Sequence, residues 1–194
     1  MGLSLIDELV EKSWTVQNDW VTPEECAWLR AEAERQDADA RFRPAGIADG
    51  VLTPAIRSDR ILWLGEQDAV WPWVQEKLTL LRHQLNAELF LGLDHFEAHF
   101  AVYEPGQFYA KHVDRKASNP PQAGSQRAVS FLLYLNSNWQ PEDGGELVIH
   151  QNGQEIRILP EGGRMVLFRS DTILHEVLAP KRRRYSLTAW LRTL

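Results

Sequence analysis

The second half of this 194-residue chain consists of short apolar runs cut by turn signals, a pattern that few architectures satisfy. From Phe96 onward the runs are FEAHFAVY, RAVSFLLYLN, GELVIH, EIRIL, RMVLF, ILHEV and YSLTAWL. Breaks fall at Pro105-Gly106, Pro120-Pro121, Asp143-Gly144-Gly145, Asn152-Gly153 and Pro160 to Gly163. Runs rich in β-branched and aromatic residues suit strands, and clusters of Gly and Pro end them. Asn152-Gly153, between LVIH and EIRIL, is a two-residue hairpin signal, because the favoured turn needs positive φ at both positions. Seven or eight such strands predict a mainly β protein with flanking helices. The form expected is a double-stranded β-helix (jelly roll) core with N-terminal helices packed outside.

The first half reads differently. VTPEECAWLRAEAERQ predicts a helix in which Thr22 is the N-cap, Pro23 opens the first turn and Glu25 completes a capping box. A second helix is expected from about Glu66 to Leu89, where Val70, Trp73, Val74, Leu78, Leu81, Leu85 and Leu89 recur near the helical period, with Lys77 at the stripe's edge. Between them, RFRPAGIADGVLTPAIRSDR is rich in Gly, Pro and charge. It reads as a long loop or hairpin leading into the strand RILWLG, of the kind that often serves as a lid. The length predicts one domain over 1–194, with helical support over about 1–92 and the jelly roll over about 93–194.

Composition narrows the functional classes. Apolar residues make up 44% and charged residues 25%, an ordinary globular balance. A net charge of −6 does not favour a nucleic-acid partner. No run approaches the roughly 20 apolar residues of a membrane span. The start MGLSLIDELVEKSW lacks a cationic segment before its apolar residues, and Ile6 stands where a myristoylation signal has Ser or Thr. Cys26, the single cysteine, has no intramolecular disulfide partner and reads as a buried apolar residue. A reduced, cytoplasmic setting is the expectation.

The chemistry is carried by His112 and Asp114 in KHVDR and by His175 in TILHEV, 61 residues after Asp114. Two neutral imidazoles and one carboxylate cap one face of a ferrous ion and leave positions open for a cosubstrate and O₂. Six His and eleven Asp in this length give roughly 0.3 His-x-Asp pairs by chance, so the pair alone is weak. In an extended segment both side chains of the pair share one face. Arg184 follows His175 by nine positions and opens a strand. A guanidinium inside a small barrel needs an anion, and a dicarboxylate that also chelates iron would supply one. Thr188 shares Arg184's face. Separately, these residues also fit a surface ion pair, a core histidine and a solvated basic turn.

The ordered set YAKHVD, RAVSFLLYLNSNW, DGGELVIH, ILPEGG, MVLFRSDTILHEV and RRRYSLTAW resembles the catalytic domain of Fe(II)/2-oxoglutarate-dependent prolyl hydroxylases. The likeness is to the branch containing the hydroxylases of hypoxia-inducible factor and their bacterial relatives. It spans roughly residues 55 to 192, with IRSDRILWL upstream. The resemblance implies His112, Asp114 and His175 as iron ligands and Arg184 as the arginine binding the distal carboxylate of 2-oxoglutarate. It further implies Tyr134, Thr188 and Tyr103 around that cosubstrate, and Arg57 with Asp59 at the base of a substrate loop over roughly residues 43 to 58.

The implied activity is hydroxylation of a prolyl residue at C4, with 2-oxoglutarate converted to succinate and CO₂. Fe(II), 2-oxoglutarate and O₂ are the implied cofactor and cosubstrates, and ascorbate is a candidate addition. The implied partner is a proline-containing protein or peptide, a translation factor such as elongation factor Tu being one candidate. No nucleic acid, no membrane and a monomeric state are expected. The open alternatives are a hydroxylase of a free amino acid or small metabolite, a nucleic-acid demethylase, and a metal-binding sensor without turnover. Trp190, where many demethylases carry a second arginine, speaks against the demethylase.

Overall fold

The computed structural model describes residues 4–47, 51–115 and 124–194, and the break at Pro120-Pro121 lies outside them. In chain order the elements are α1 (Leu5–Lys12), β1 (Trp14–Gln17), α2 (Pro23–Ala38), β2 (Arg43–Pro44), β3 (Arg60–Trp63), α3 (Trp71–Leu89) and β4 (Leu93–Tyr103). They continue with β5 (Tyr109–His112), β6 (Arg127–Tyr134), β7 (Leu147–Gln151), β8 (Gln154–Ile158), β9 (Met165–Arg169), β10 (Leu174–Val177) and β11 (Arg184–Thr193). The strands form a jelly roll of two antiparallel sheets, ordered β1-β9-β6-β11-β4-β3-β2 and β5-β10-β7-β8.

The local signals act where the sequence places them. Thr22 caps α2, accepting from the Glu25 backbone, and the Glu25 side chain returns the bond. Asn152 and Gly153 both take positive φ, 52° and 76°, in the tight turn joining β7 to β8. The second helix, α3, begins at Trp71 rather than Glu66. The stretch before it is a turn in which Asp68 accepts from the Gly65 backbone at 3.0 Å and its own carbonyl receives Trp71 N–H at 2.9 Å. Pro72, which lacks an N–H, is then tolerated in the first helical turn. Two elements are unforeseen. One is α1, capped by a Ser4–Asp7 box. The other is β1, which pairs with β9 along the sheet edge.

The large sheet is buried on both faces, which is why its strands read as nearly continuous apolar runs. One face carries Phe100, Phe131, Leu133, Leu167, Tyr185, Leu187 and Leu191 against Leu29, Val74, Leu78 and Leu85 of the helices. The other carries Ala101, Tyr103, Leu132, Tyr134, Val166 and Phe168, packed against Leu147, Ile149 and Val177 of the small sheet. Each strand therefore sends alternate residues to the helical core and to the space between the sheets. The segment between β2 and β3 is a long hairpin connection, with Arg43 opposite Ile61 and Pro44 opposite Arg60. Residues 48–50 of the expected substrate loop lie outside the described residues. Among the described residues no helix is long and apolar enough to cross a membrane.

Candidate active site and metal centre

Strand register brings the two histidines together. His112 on β5 stands directly opposite His175 on β10. Directly opposed residues on antiparallel strands have side chains near enough to touch. Asp114 follows two residues beyond His112, just past the end of β5, and turns back toward both. Its Oδ1 lies 3.4 Å from His112 Nε2 and 3.8 Å from His175 Nε2. One ligand atom from each of the three residues falls within 4.8 Å of the others, close enough to share one ion.

The surroundings fix how each ligand would present itself. His112 Nδ1 donates to the Ala110 carbonyl at 2.8 Å, and His175 Nδ1 donates to the Ile173 carbonyl at 3.1 Å. A carbonyl accepts only, so the proton sits on Nδ1 in each ring and the lone pair on Nε2 faces the cluster. Burial pushes the His175 imidazole down to about 4, against the pull of Asp114, so it is neutral near pH 7. Burial pushes the Asp114 carboxyl up, but His175 and His112 beside it, with a hydrogen bond from Ser130, hold it well below the usual carboxylate range. Asp114 Oδ2 accepts from Ser130 Oγ at 2.5 Å and from Trp190 Nε1 at 2.9 Å, which leaves Oδ1 free for the ion. The His112 ring stacks on Tyr109 with centroids 3.5 Å apart, and the Arg57 guanidinium lies over the Tyr109 ring at 4.6 Å.

Arg184 is 1% exposed and has no carboxylate partner among the described ion pairs. Its Nε donates to the Gly145 carbonyl at 2.9 Å, whereas Nη2 is buried with no hydrogen bond. The guanidinium lies 5.0 Å from the ring centres of both Tyr103 and Tyr134. The Tyr134 hydroxyl is likewise buried and unpaired, and burial pushes it up to about 12, so it remains a neutral donor. An unpaired buried cation beside an unpaired buried donor is costly unless an anion completes the set. The residues therefore fit both a metal ion and a carboxylate ligand next to it.

Every residue singled out in the sequence lies at or beside this pocket. Arg57, Tyr103, His112, Asp114, His175, Arg184 and Thr188 line it. Tyr134 abuts it through Arg184. Arg57 and Asp59 form a buried two-pronged ion pair at 2.7 and 3.0 Å, and Arg57 Nη1 also donates to the Gly46 carbonyl. Asp59 thus braces Arg57 beneath the β2–β3 connection. Sequence reasoning missed Ser130, Ser186 and His99, and it named Trp190 only as speaking against a demethylase. Continuing the two-residue period from Arg184 through Thr188 finds Ser186 and Trp190. Ser130 becomes visible only through register, as the Cα partner of Trp190 across β6 and β11.

The chain is similar in sequence and fold to known proteins. Residues 98–192 match the sequence model of the 2OG-Fe(II) oxygenase superfamily. A crystal structure of a Pseudomonas putida prolyl-4-hydroxylase is 38% identical, with 97% of each chain covered and a TM-score of 0.88. The human prolyl hydroxylase EGLN3 is 31% identical over 75% of this chain, which spans 63% of that relative's length. A Trichoplax adhaerens prolyl hydroxylase, solved with a hypoxia-inducible factor oxygen degradation domain peptide fragment, shares the fold at TM-score 0.88 and 23% identity, over 96% of this chain and 86% of that one.

Proposed function

This chain belongs to the 2OG-Fe(II) oxygenase superfamily, among its prolyl hydroxylases, and on that premise we propose that it hydroxylates a prolyl residue, at C4, in a protein or peptide. The observation that carries the chemistry is the pairing of a three-ligand cluster with an unpaired, fully buried arginine in one pocket. Bound there, ferrous iron with 2-oxoglutarate and O₂ would supply the oxidising power for C–H hydroxylation, with 2-oxoglutarate converted to succinate and CO₂.

The protein's share is placement. His112 and His175 offer Nε2, and Asp114 offers Oδ1 while Ser130 and Trp190 hold its other oxygen. Arg184 Nη2 and the Tyr134 hydroxyl bind the distal carboxylate of 2-oxoglutarate, with Tyr103 flanking the guanidinium. Thr188, farther along the same strand face, adds a hydroxyl to the pocket wall. The apolar walls from Leu147, Phe168 and Val177 keep water from the reacting atoms.

A macromolecular substrate is favoured over a free metabolite by exposed apolar side chains in the chain around Arg57, which lines the pocket. Val51, Leu52 and Ile56 before Arg57, and Trp63 on β3, are exposed large apolar side chains. Exposed apolar side chains of this kind suit a binding surface, which a small polar metabolite does not need. A translation factor such as elongation factor Tu is a candidate target by resemblance alone. The test is succinate formation from 2-oxoglutarate together with equilibrium binding of 2-oxoglutarate under nitrogen. Arg184→Ala is expected to weaken that binding by at least about a hundredfold, the scale of a lost charge-assisted pair, with metal affinity retained. Unchanged 2-oxoglutarate affinity in this variant overturns the assignment of Arg184.

A further inference from the structure

Several polar side chains of the pocket are assigned to neither metal nor cosubstrate, and among them His99 carries a buried ring nitrogen without a hydrogen bond. His99 on β4 is 1% exposed, lines the pocket, and has an Nδ1 with no hydrogen bond. Its imidazole stands beside two indoles, with ring centres 4.9 Å from Trp63 and 5.0 Å from Trp190. Burial, then the positive charge of Arg57 and Arg127, pushes it well below the usual histidine range, so it is neutral. An unpartnered buried nitrogen is a standing cost, and an apolar side chain would avoid it.

Register locates this nitrogen relative to the cosubstrate anchor. Tyr103 faces Arg184 across β4 and β11, while His99 faces Thr188. His99 therefore lies four residues, about 14 Å of strand, from the arginine end of the pocket. Its neighbour Trp190 touches Asp114, so His99 borders the metal site from the opposite end. A dicarboxylate anchored at Arg184 and chelating among the three ligands leaves that end to the other substrate.

We propose that His99 is a substrate-binding residue whose Nδ1–H donates to a backbone carbonyl beside the target proline. The proposal rests on the prolyl hydroxylase reading. A prolyl residue has no N–H, so its own backbone offers an acceptor alone. A neutral imidazole meets it with one donor and brings no charge that would need a counter-ion. Trp63 and Trp190 supply flat apolar walls for the pyrrolidine ring, the surface on which proline-rich segments dock.

The experiment uses the chain loaded with Mn(II) and 2-oxoglutarate under nitrogen. It measures retention on two immobilised pools of short capped peptides, one with a central proline and one with alanine in its place. The native chain is expected to prefer the proline pool. His99→Leu should retain roughly tenfold less of it, one hydrogen bond's worth, and His99→Asn, which restores an N–H near the same position, should recover most of the loss. Affinity for 2-oxoglutarate stays at the native value in both variants, and His99→Leu melts at a higher temperature, because an unpaired buried polar atom is gone. Native-like retention by His99→Leu overturns the proposal, as does a fall in melting temperature accompanied by weaker 2-oxoglutarate binding. A native chain with no preference for proline overturns the prolyl reading itself, and the role of His99 with it.

Discussion

Under the proposed function, Ser130 and Trp190 set how Asp114 would serve as a ligand. Both donate to Oδ2, so the oxygen facing the histidines is held in one orientation. Removing such a support commonly lowers metal affinity by about 10- to 100-fold. Ser130→Ala and Trp190→Phe are each expected to fall in that range when Zn(II) affinity is measured by chelator competition, with the fold intact by circular dichroism. Unchanged affinity in both would assign the two bonds to packing alone. His175 adds a pH signature. Its folded value is about 4, below the roughly 6.5 of a free imidazole, so the unfolded chain takes up a proton that the native chain refuses. Its contribution to metal-free stability is complete above about pH 6.5 and is lost as pH falls toward 4. Thermal melts of the metal-free chain should fall through that window, and His175→Gln should flatten the slope. The clustering of His112, Asp114 and His175 was legible because His-x-Asp and a later His are one-dimensional signals. The supports of Asp114 were not, since a hydroxyl from β6 and an indole from β11 meet it only through register.

Among the elements, β11 does most to organise the pocket, presenting Arg184, Ser186, Thr188 and Trp190 from one face. Its start is held by the turn before β7. Gly145 has φ +72°, its carbonyl receives Arg184 Nε, and a Cβ there would meet Pro180 Cβ at 2.9 Å and Arg184 Cδ at 3.2 Å. Gly145→Ala is therefore expected to displace the guanidinium and weaken 2-oxoglutarate binding by about tenfold or more, on the scale of one lost hydrogen bond. Calorimetry with the Zn(II)-loaded chain checks this, and native affinity would show that the turn does not position Arg184. The DGG sequence announced this turn, and Asn152-Gly153 announced the next, because positive φ selects these residues. The start of α3 was misread because apolar spacing continues through Val70, whereas the Asp68 turn depends on a contact with Arg41 from another part of the chain.

For the whole molecule, the large sheet is a partition. It bears the helical core on one side and the chemistry on the other, so its strands carry stability and function on alternate residues. Leu187 lies fully buried on the helical side, between Ser186 and Thr188 on the pocket side. Leu187→Ala is expected to cost about 2–5 kcal/mol in urea unfolding while leaving 2-oxoglutarate affinity of the folded chain unchanged. An affinity loss parallel to the stability loss would show that the two faces are coupled. The most direct measurement is mass spectrometry of a cell extract incubated with the iron-loaded chain, 2-oxoglutarate and isotopically labelled O₂. The predicted result is one labelled oxygen atom on a prolyl residue of a protein, with succinate formed in step and both signals lost in Asp114→Ala. Label on nucleobases or free amino acids alone, or labelled proline persisting in Asp114→Ala, would contradict it.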